Sequence, residues 1–208
     1  MFDLHGKVSL VTGSSRGLGK GILLCLAKAG ADVVLNFRSS ENEANATIEQ
    51  VRAMGRKAIA VKADVSKQDD VKLLFDKVMT EYGHLDILVN NAGTARPENI
   101  FEMTEESWRS LIDTNLTSTF LCSKYAMEIM REQKSGRIIQ VSSIVGHRGA
   151  IFGHVHYAAT KSGQLGFTKT LARTAAEYKI TVNAIAPGVI GTELLYQTHG
   201  KEGAEDLA

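Results

Sequence analysis

Six short apolar runs recur along the chain, each close to continuously apolar rather than alternating: Val8-Ser9-Leu10-Val11, Asp32-Val33-Val34-Leu35-Asn36, Ala58-Ile59-Ala60-Val61, Asp86-Ile87-Leu88-Val89, Arg137-Ile138-Ile139-Gln140-Val141 and Thr181-Val182-Asn183-Ala184-Ile185. A strand that is apolar on both sides of its pleat must be covered on both, as in a mostly parallel sheet packed between helix layers. The intervening segments are long enough to supply those helices: Gly17 to Ala29, then about 40–54, 67–82, 104–133 and 157–178. Gly30 stands where the first helix would end in left-handed backbone. Pro97 and Pro187 fall outside every predicted helix and strand, and no repeat, linker or low-complexity stretch divides the chain. The expectation is one α/β domain over residues 1–208 with a doubly wound sheet.

Composition removes several function classes. A net charge of +1 creates no strong field for nucleic acid or an anionic membrane. No apolar run reaches the roughly 20 residues needed to span a bilayer. Met1 to Lys7 leads into the first strand without the features of a secretory signal. Cys25 and Cys122 stand alone in apolar helical patterns and read as two reduced core thiols. A cytoplasmic location is expected. His147, His154 and His156 cluster before Tyr157, but no acid or thiol in that stretch joins them. They read as loop or pocket-lining histidines, and no metal is expected.

The turn after the first strand is Thr12-Gly13-Ser14-Ser15-Arg16-Gly17-Leu18-Gly19, and it opens the first helix. Glycine serves there where backbone takes positive φ or must approach a phosphate closely. Free N–H groups and the helix dipole favour a pyrophosphate at such a site, giving a Rossmann-like, dinucleotide-binding reading. The second strand runs into Asn36-Phe37-Arg38-Ser39-Ser40, with no acid to receive a ribose 2′-hydroxyl. Arg38 and Arg16 instead suit a 2′-phosphate, which predicts NADP(H), with NAD(H) as the other possibility.

Tyr157 and Lys161 are one helical turn apart, with Cβ atoms about 6 Å from each other. A phenol with a pKa of about 10 is a poor base at neutral pH, and a neighbouring ammonium should lower that value. Ser143, at the end of the fifth strand, is placed where open α/β sheets hold ligands. There it can share developing charge on a substrate oxygen with Tyr157. Ser142 is adjacent.

The turn's Gly-x-x-x-Gly-x-Gly spacing, Asn90-Asn91-Ala92-Gly93 and Tyr157-Ala158-Ala159-Thr160-Lys161 together resemble the short-chain dehydrogenase/reductase family. The resemblance runs from about Lys7 to Thr192 with the motifs in family order. It implies hydride transfer between a nicotinamide and a carbonyl/secondary-alcohol pair, with Asn115, Ser143, Tyr157 and Lys161 as catalytic residues. It selects Ser143, which precedes Ile144-Val145-Gly146, over Ser142, and gives Asn115 the task of holding a water that links Lys161 to solvent. The cofactor site would be Gly13, Ser15, Arg16, Gly17, Leu18, Gly19, Arg38, Asp64, Val65, Asn91, Ala92, Gly93, Tyr157, Lys161, Pro187, Gly188, Ile190 and Thr192. Within it, Asp64 and Val65 would meet the adenine, Ile190 the carboxamide and Thr192 a phosphate. Asn90 would serve structure as much as binding.

The chain is most similar to 3-oxoacyl-thioester reductases, then to sugar or polyol dehydrogenases. A small carbonyl or alcohol substrate and a homodimer or homotetramer are implied, with Trp108 and Tyr125 as packing or interface residues. Family members continue beyond Thr192 into further helices and a seventh strand, whereas residues 200–208 are polar and weakly patterned. The expectation is a sheet without its last helix and seventh strand. This leaves a second reading, a catalytically idle dinucleotide-binding module.

Overall fold

The computed structural model describes residues 3–150, 153–193, 195, 196 and 200. All six apolar runs are strands: β1 (Val8–Val11), β2 (Asp32–Phe37), β3 (Ala58–Lys62), β4 (Ile87–Asn90), β5 (Gly136–Val141) and β6 (Ile180–Ile185). They form one parallel sheet in the order β3-β2-β1-β4-β5-β6. The chain winds outward in one direction through β3 and in the other from β4, so strand order reverses between β1 and β4. In open α/β sheets the carboxyl side of that reversal is where a ligand crevice forms.

Seven helices connect the strands among the described residues: α1 (Gly17–Lys28), α2 (Glu41–Ala53), α3 (Gln68–Tyr82), α4 (Glu105–Ile112), α5 (Ser118–Gln133), α6 (Val145–Arg148) and α7 (Val155–Ala175). Successive strand residues point to opposite faces of the sheet. Val8, Leu10, Leu88 and Ile138 pack with Leu74 and Phe75 of α3, Cys122 and Met130 of α5 and Ala175 of α7. Val11, Val33, Leu35 and Val89 pack on the other face with Leu23 and Ala27 of α1 and Ile48 and Val51 of α2. Both faces are covered, as the continuous apolar runs require.

The predicted helix over 104–133 is not continuous. Between α4 and α5 the backbone widens into one π turn, Asp113–Thr117, centred on the buried Asn115. Thr104 caps α4 by accepting from Ser107 N at 3.1 Å. The predicted 157–178 helix begins earlier, at Val155, and closes in a 3₁₀ turn over Ala176–Tyr178. Asp86 lies just before β4 rather than in it, and its carboxylate accepts from Lys7 Nζ and Val8 N, both at 2.9 Å.

Cys122 is a core thiol, its pKa pushed up to about 12 by burial, but Cys25 is exposed. On α1 the buried stripe is Gly19, Leu23 and Ala27, so Cys25, two residues past Leu23, faces outward. None of the described helices is long and apolar enough to cross a membrane. Residues 201–208, most of the tail behind the expectation of a missing seventh strand, lie outside the described residues.

Candidate active site

The glycine turn lies at the switch point and is tied to both neighbouring strands. Gly13 and Gly17 have positive φ, +60° and +56°. A Cβ on Gly13 would sit 2.9 Å from Ala92 Cα; one on Gly19 would lie 2.5 Å from Gly13 O and closer still to Asn91 Nδ2. These contacts are with backbone or a braced amide, so the turn admits no larger residue without moving. Thr12 Oγ1 accepts from the backbone N–H groups of Asn91 and Ala92, each at 3.0 Å. Asn91 Nδ2 returns bonds to Thr12 O and Gly13 O at 2.9 and 3.0 Å. Asn36, buried in β2, accepts from Gly13 N and donates to Ala63 O at 3.0 Å. Asn90 and Gln140 both donate to Ser123 Oγ, at 2.9 and 3.1 Å, beneath the crevice.

The first turn of α1 carries no acid and no side-chain cap. Its Gly17, Leu18 and Gly21 face Ile190, Gly191 and Thr192 across a cleft of about 580 Å³. A helix start with uncapped N–H groups, reached through glycines that leave no Cβ in the way, fits the pyrophosphate of a dinucleotide. Arg16, at the N-cap of α1, and Arg38, just past β2, are exposed. Asp64 lies beside Arg38 and accepts from Ser66 N and Oγ at 3.1 and 2.7 Å. Burial pushes its carboxyl up, but the Ser66 bonds and the Arg38 and Lys67 charges outweigh this and hold it below the ordinary value. Ser15 and Val65 are buried, while Gly188 and Ile190 are exposed; Pro187 O accepts from Ile144 N at 2.9 Å. Gly93 lies close to Asn115 Oδ1.

Beyond this cleft, at the carboxyl end of β5, the structure brings Ser143, Tyr157 and Lys161 together. The Ser143 hydroxyl lies near enough to the Tyr157 phenol to favour its ionised form, and it accepts from Val145 N at 3.2 Å. The Lys161 ammonium lies 5.7 Å from the centroid of the Tyr157 ring and donates to Val141 O at 2.8 Å. Ser142 points elsewhere, donating to Lys161 O at 2.8 Å. A Cβ on Gly146 would come within 2.8 Å of the Lys161 backbone, so this glycine lets α6 pack against α7 beside the site. Asn115 is wholly buried; its Oδ1 accepts from Thr94 N at 2.8 Å, and its Nδ2 donates to Thr94 O at 2.9 Å and Thr160 Oγ1 at 3.3 Å.

The electrostatics differ from the sequence expectation. Burial pushes the Tyr157 phenol above its ordinary value, with the Ser143 hydroxyl opposing it, and lowers Lys161 to about 8. The lysine has been taken out of water to sit beside the phenol.

His156, read as a loop or pocket histidine, is a fully buried member of α7. Its Nε2 lies 3.7 Å from Glu98 Oε2, a carboxylate that also accepts from Ser107 Oγ. Burial lowers its pKa, with Glu98 pulling the other way. His147 is exposed. Trp108 lies partly exposed on α4, and Tyr125 stacks on Phe75 at 5.6 Å.

Sequence reasoning overlooked Thr12 and Asn36 as braces, and Gln164 altogether. Gln164 is fully buried on the Lys161 side of α7 and accepts from Lys161 Nζ at 3.2 Å. Its signal was a polar residue three positions after a candidate catalytic lysine, on the same helix face.

Comparison with known proteins gives the family. The family model of the short chain dehydrogenases matches residues 7–203. A 3-oxoacyl-[acyl-carrier-protein] reductase from Synechocystis sp. is 44% identical over 194 residues, 93% of this chain and 78% of that protein. A short-chain type dehydrogenase/reductase from Mycobacterium marinum superposes with a TM-score of 0.91 at 35% identity, covering 94% of this chain and 78% of the other. A short chain dehydrogenase from Burkholderia cenocepacia, crystallised in complex with NADP, gives 0.87 at 36% identity, covering 92% and 77%. The chain belongs to the short chain dehydrogenase family and is an oxidoreductase with a Rossmann-like α/β fold.

Proposed function

We propose that this member of the family reduces a 3-oxoacyl thioester to the 3-hydroxy compound with NADP(H), Tyr157 acting as the general acid. The observation that carries the proposal is the Lys161 ammonium 5.7 Å from the Tyr157 ring, with Ser143 beside that phenol at the carboxyl end of β5. The substrate class rests on the 44% identity to the Synechocystis reductase, and the cofactor on the exposed Arg16 and Arg38 and the NADP-bound Burkholderia relative.

In this reading Gly13, Ser15, Gly17, Leu18, Gly19, Ala92 and Gly93 cradle the pyrophosphate side of the cofactor, and Asn91 braces that cradle. Arg16 and Arg38 take the 2′-phosphate, Asp64 and Val65 the adenine, and Pro187, Gly188, Ile190 and Thr192 the nicotinamide end. The chemistry a bound nicotinamide supplies is hydride transfer to or from a carbonyl carbon. The protein manages the oxygen. Ser143 and Tyr157 donate to it where negative charge develops, and Tyr157 passes its proton to that oxygen. Lys161, charged near neutral pH, then stabilises the phenolate left behind. In the oxidative direction the same hydroxyl accepts the proton.

The test follows nicotinamide absorbance with acetoacetyl thioesters, simple ketones and polyols. Tyr157→Phe should lower turnover of the thioester by at least about 100-fold while leaving NADPH affinity unchanged. Retained turnover would remove Tyr157 from its role. Preference for polyols would move the chain to the sugar or polyol dehydrogenases, and NADPH binding without turnover of any substrate would make it an idle module.

A further inference from the structure

The π turn at Asn115 changes what its backbone can do. Asn115 O accepts from Gln164 Nε2 at 3.0 Å and from Thr119 Oγ1 at 2.9 Å. A carbonyl has two lone pairs, and both are used. Gln164 also donates to Thr119 Oγ1 at 2.8 Å and accepts from Lys161 Nζ at 3.2 Å. Its amide is thus fixed at both ends inside a fully buried site.

We propose that Gln164 is a positioning residue for Lys161: as a direct bridge from the Asn115 carbonyl to the lysine ammonium, it holds the charge beside Tyr157 and sets the pH at which that charge is lost. This deepens the reading of Lys161 as the partner of Tyr157 and rests on it. Among the described residues, Gln164 is the side-chain acceptor for the ammonium, and the other acceptor is the main-chain carbonyl of Val141. An amide that accepts from Lys161 favours the charged form against the burial that disfavours it.

The electrostatic surroundings make the effect readable. Tyr157 is the titratable group that faces Lys161. Glu105, Glu106 and Arg109 of α4, Asp113 of the π turn, and His147 and Arg148 of α6 are all exposed. Lys124 and Glu128 of α5, Arg137 of β5, and Lys169 and Arg173 of α7 itself are exposed as well, and β6 carries no ionisable side chain. Buried His156 is on α7, beside Glu98.

The first experiment uses the wild-type, cofactor-free protein. The side-chain amide signals of Gln164, followed by NMR, should titrate with the Lys161 Nζ-adjacent methylene signals at one midpoint, near pH 8. Amide signals that stay flat while Lys161 titrates would overturn the proposal. Two variants extend it. Gln164→Glu places a carboxylate at the same distance and should move the Lys161 midpoint up by a pH unit or more, about tenfold in proton affinity. Gln164→Leu should move it down and lower kcat more than it raises KM. A filler of space would instead cost stability in both variants with the midpoint and the pH limb of kcat unmoved. Should the leucine variant not fold, the glutamate variant and the wild-type titration decide. The titration needs no turnover, so its outcome stands apart from that of Tyr157→Phe.

Discussion

Replacing Lys161 by Met offers a thermodynamic check on the electrostatics that needs neither substrate nor cofactor. Lys161 is 4% exposed, and burial brings its pKa from the ordinary 10.5 to about 8. Between those values the unfolded chain binds more protons than the folded one, so the lysine makes stability rise as pH rises from about 8 to 10.5. Below that window the buried charge is a full penalty; above it the penalty is gone. At about 1.4 kcal/mol per pH unit, the whole difference is about 3 kcal/mol. Lys161→Met keeps the apolar stem and removes the charge. The penalty it relieves at neutral pH is offset by the lost bonds to Val141 O and Gln164 Oε1, worth about 1.5–3 kcal/mol each for a charged donor. The diagnostic quantity is therefore the pH dependence of the difference. Subtracting variant from wild-type unfolding free energies cancels groups common to both. Urea unfolding of the cofactor-free proteins should show the difference moving by about 3 kcal/mol in favour of wild type across the window. A flat difference would mean that Lys161 keeps an ordinary pKa, and the picture of a desolvated ammonium beside Tyr157 would fail.

Two substitutions probe the cofactor cleft. Gly19→Ala forces a Cβ onto Gly13 O and Asn91 Nδ2; it should cost about 1–3 kcal/mol in thermal or urea unfolding and weaken NADPH at least tenfold, about 1.4 kcal/mol, by titration. Unchanged affinity would show that the turn does not need its tight form to bind. Arg38→Asp removes an exposed charge and adds an acid where a ribose hydroxyl would lie. Preference in steady-state assays should pass from NADPH to NADH, with loss of about 1.5–3 kcal/mol toward NADPH, and an unaltered ratio would count against the 2′-phosphate assignment.

The sheet was legible because continuous apolar runs admit few arrangements, and all six runs became strands within a residue or two. The helices were legible in place but not in form. Nothing in the periodicity of 104–133 marks a π turn, since the wide turn at Asn115 is held by Thr94, Thr119 and Gln164, two of them distant in sequence. Cys25 was misplaced for a related reason. Its neighbours are apolar all round the helix, so pattern alone could not show which side met the sheet. Spacing and the strand end brought Tyr157, Lys161 and the Ser142–Ser143 pair to one place, and the family resemblance chose Ser143, but the electrostatics were not readable. The expected lowering of the Tyr157 pKa assumed a charge near a phenol in ordinary solvent, whereas burial acts on both groups and pushes each toward its neutral form.

The distribution of polar groups within the sheet makes the same division. Toward its amino end the polar contacts are solvent-edged ion pairs, Lys7–Asp86 and Arg56–Asp32, which anchor strands. At its carboxyl end Thr12, Asn36, Asn90, Gln140, Ser142 and Ser143 are buried, at or just past the ends of β1, β2, β4 and β5. Burying such groups is costly unless hydrogen bonds compensate, and the compensating partners come from other elements: Asn91 to Thr12, Ser123 to Asn90 and Gln140, the Lys161 carbonyl to Ser142. Each such bond fixes one wall of the crevice to another. The same wiring that makes the polar strand ends tolerable fixes the crevice walls around Ser143 and Tyr157, the donors of the proposed function, before any ligand arrives. Little reorganisation is then left for the moment of reaction.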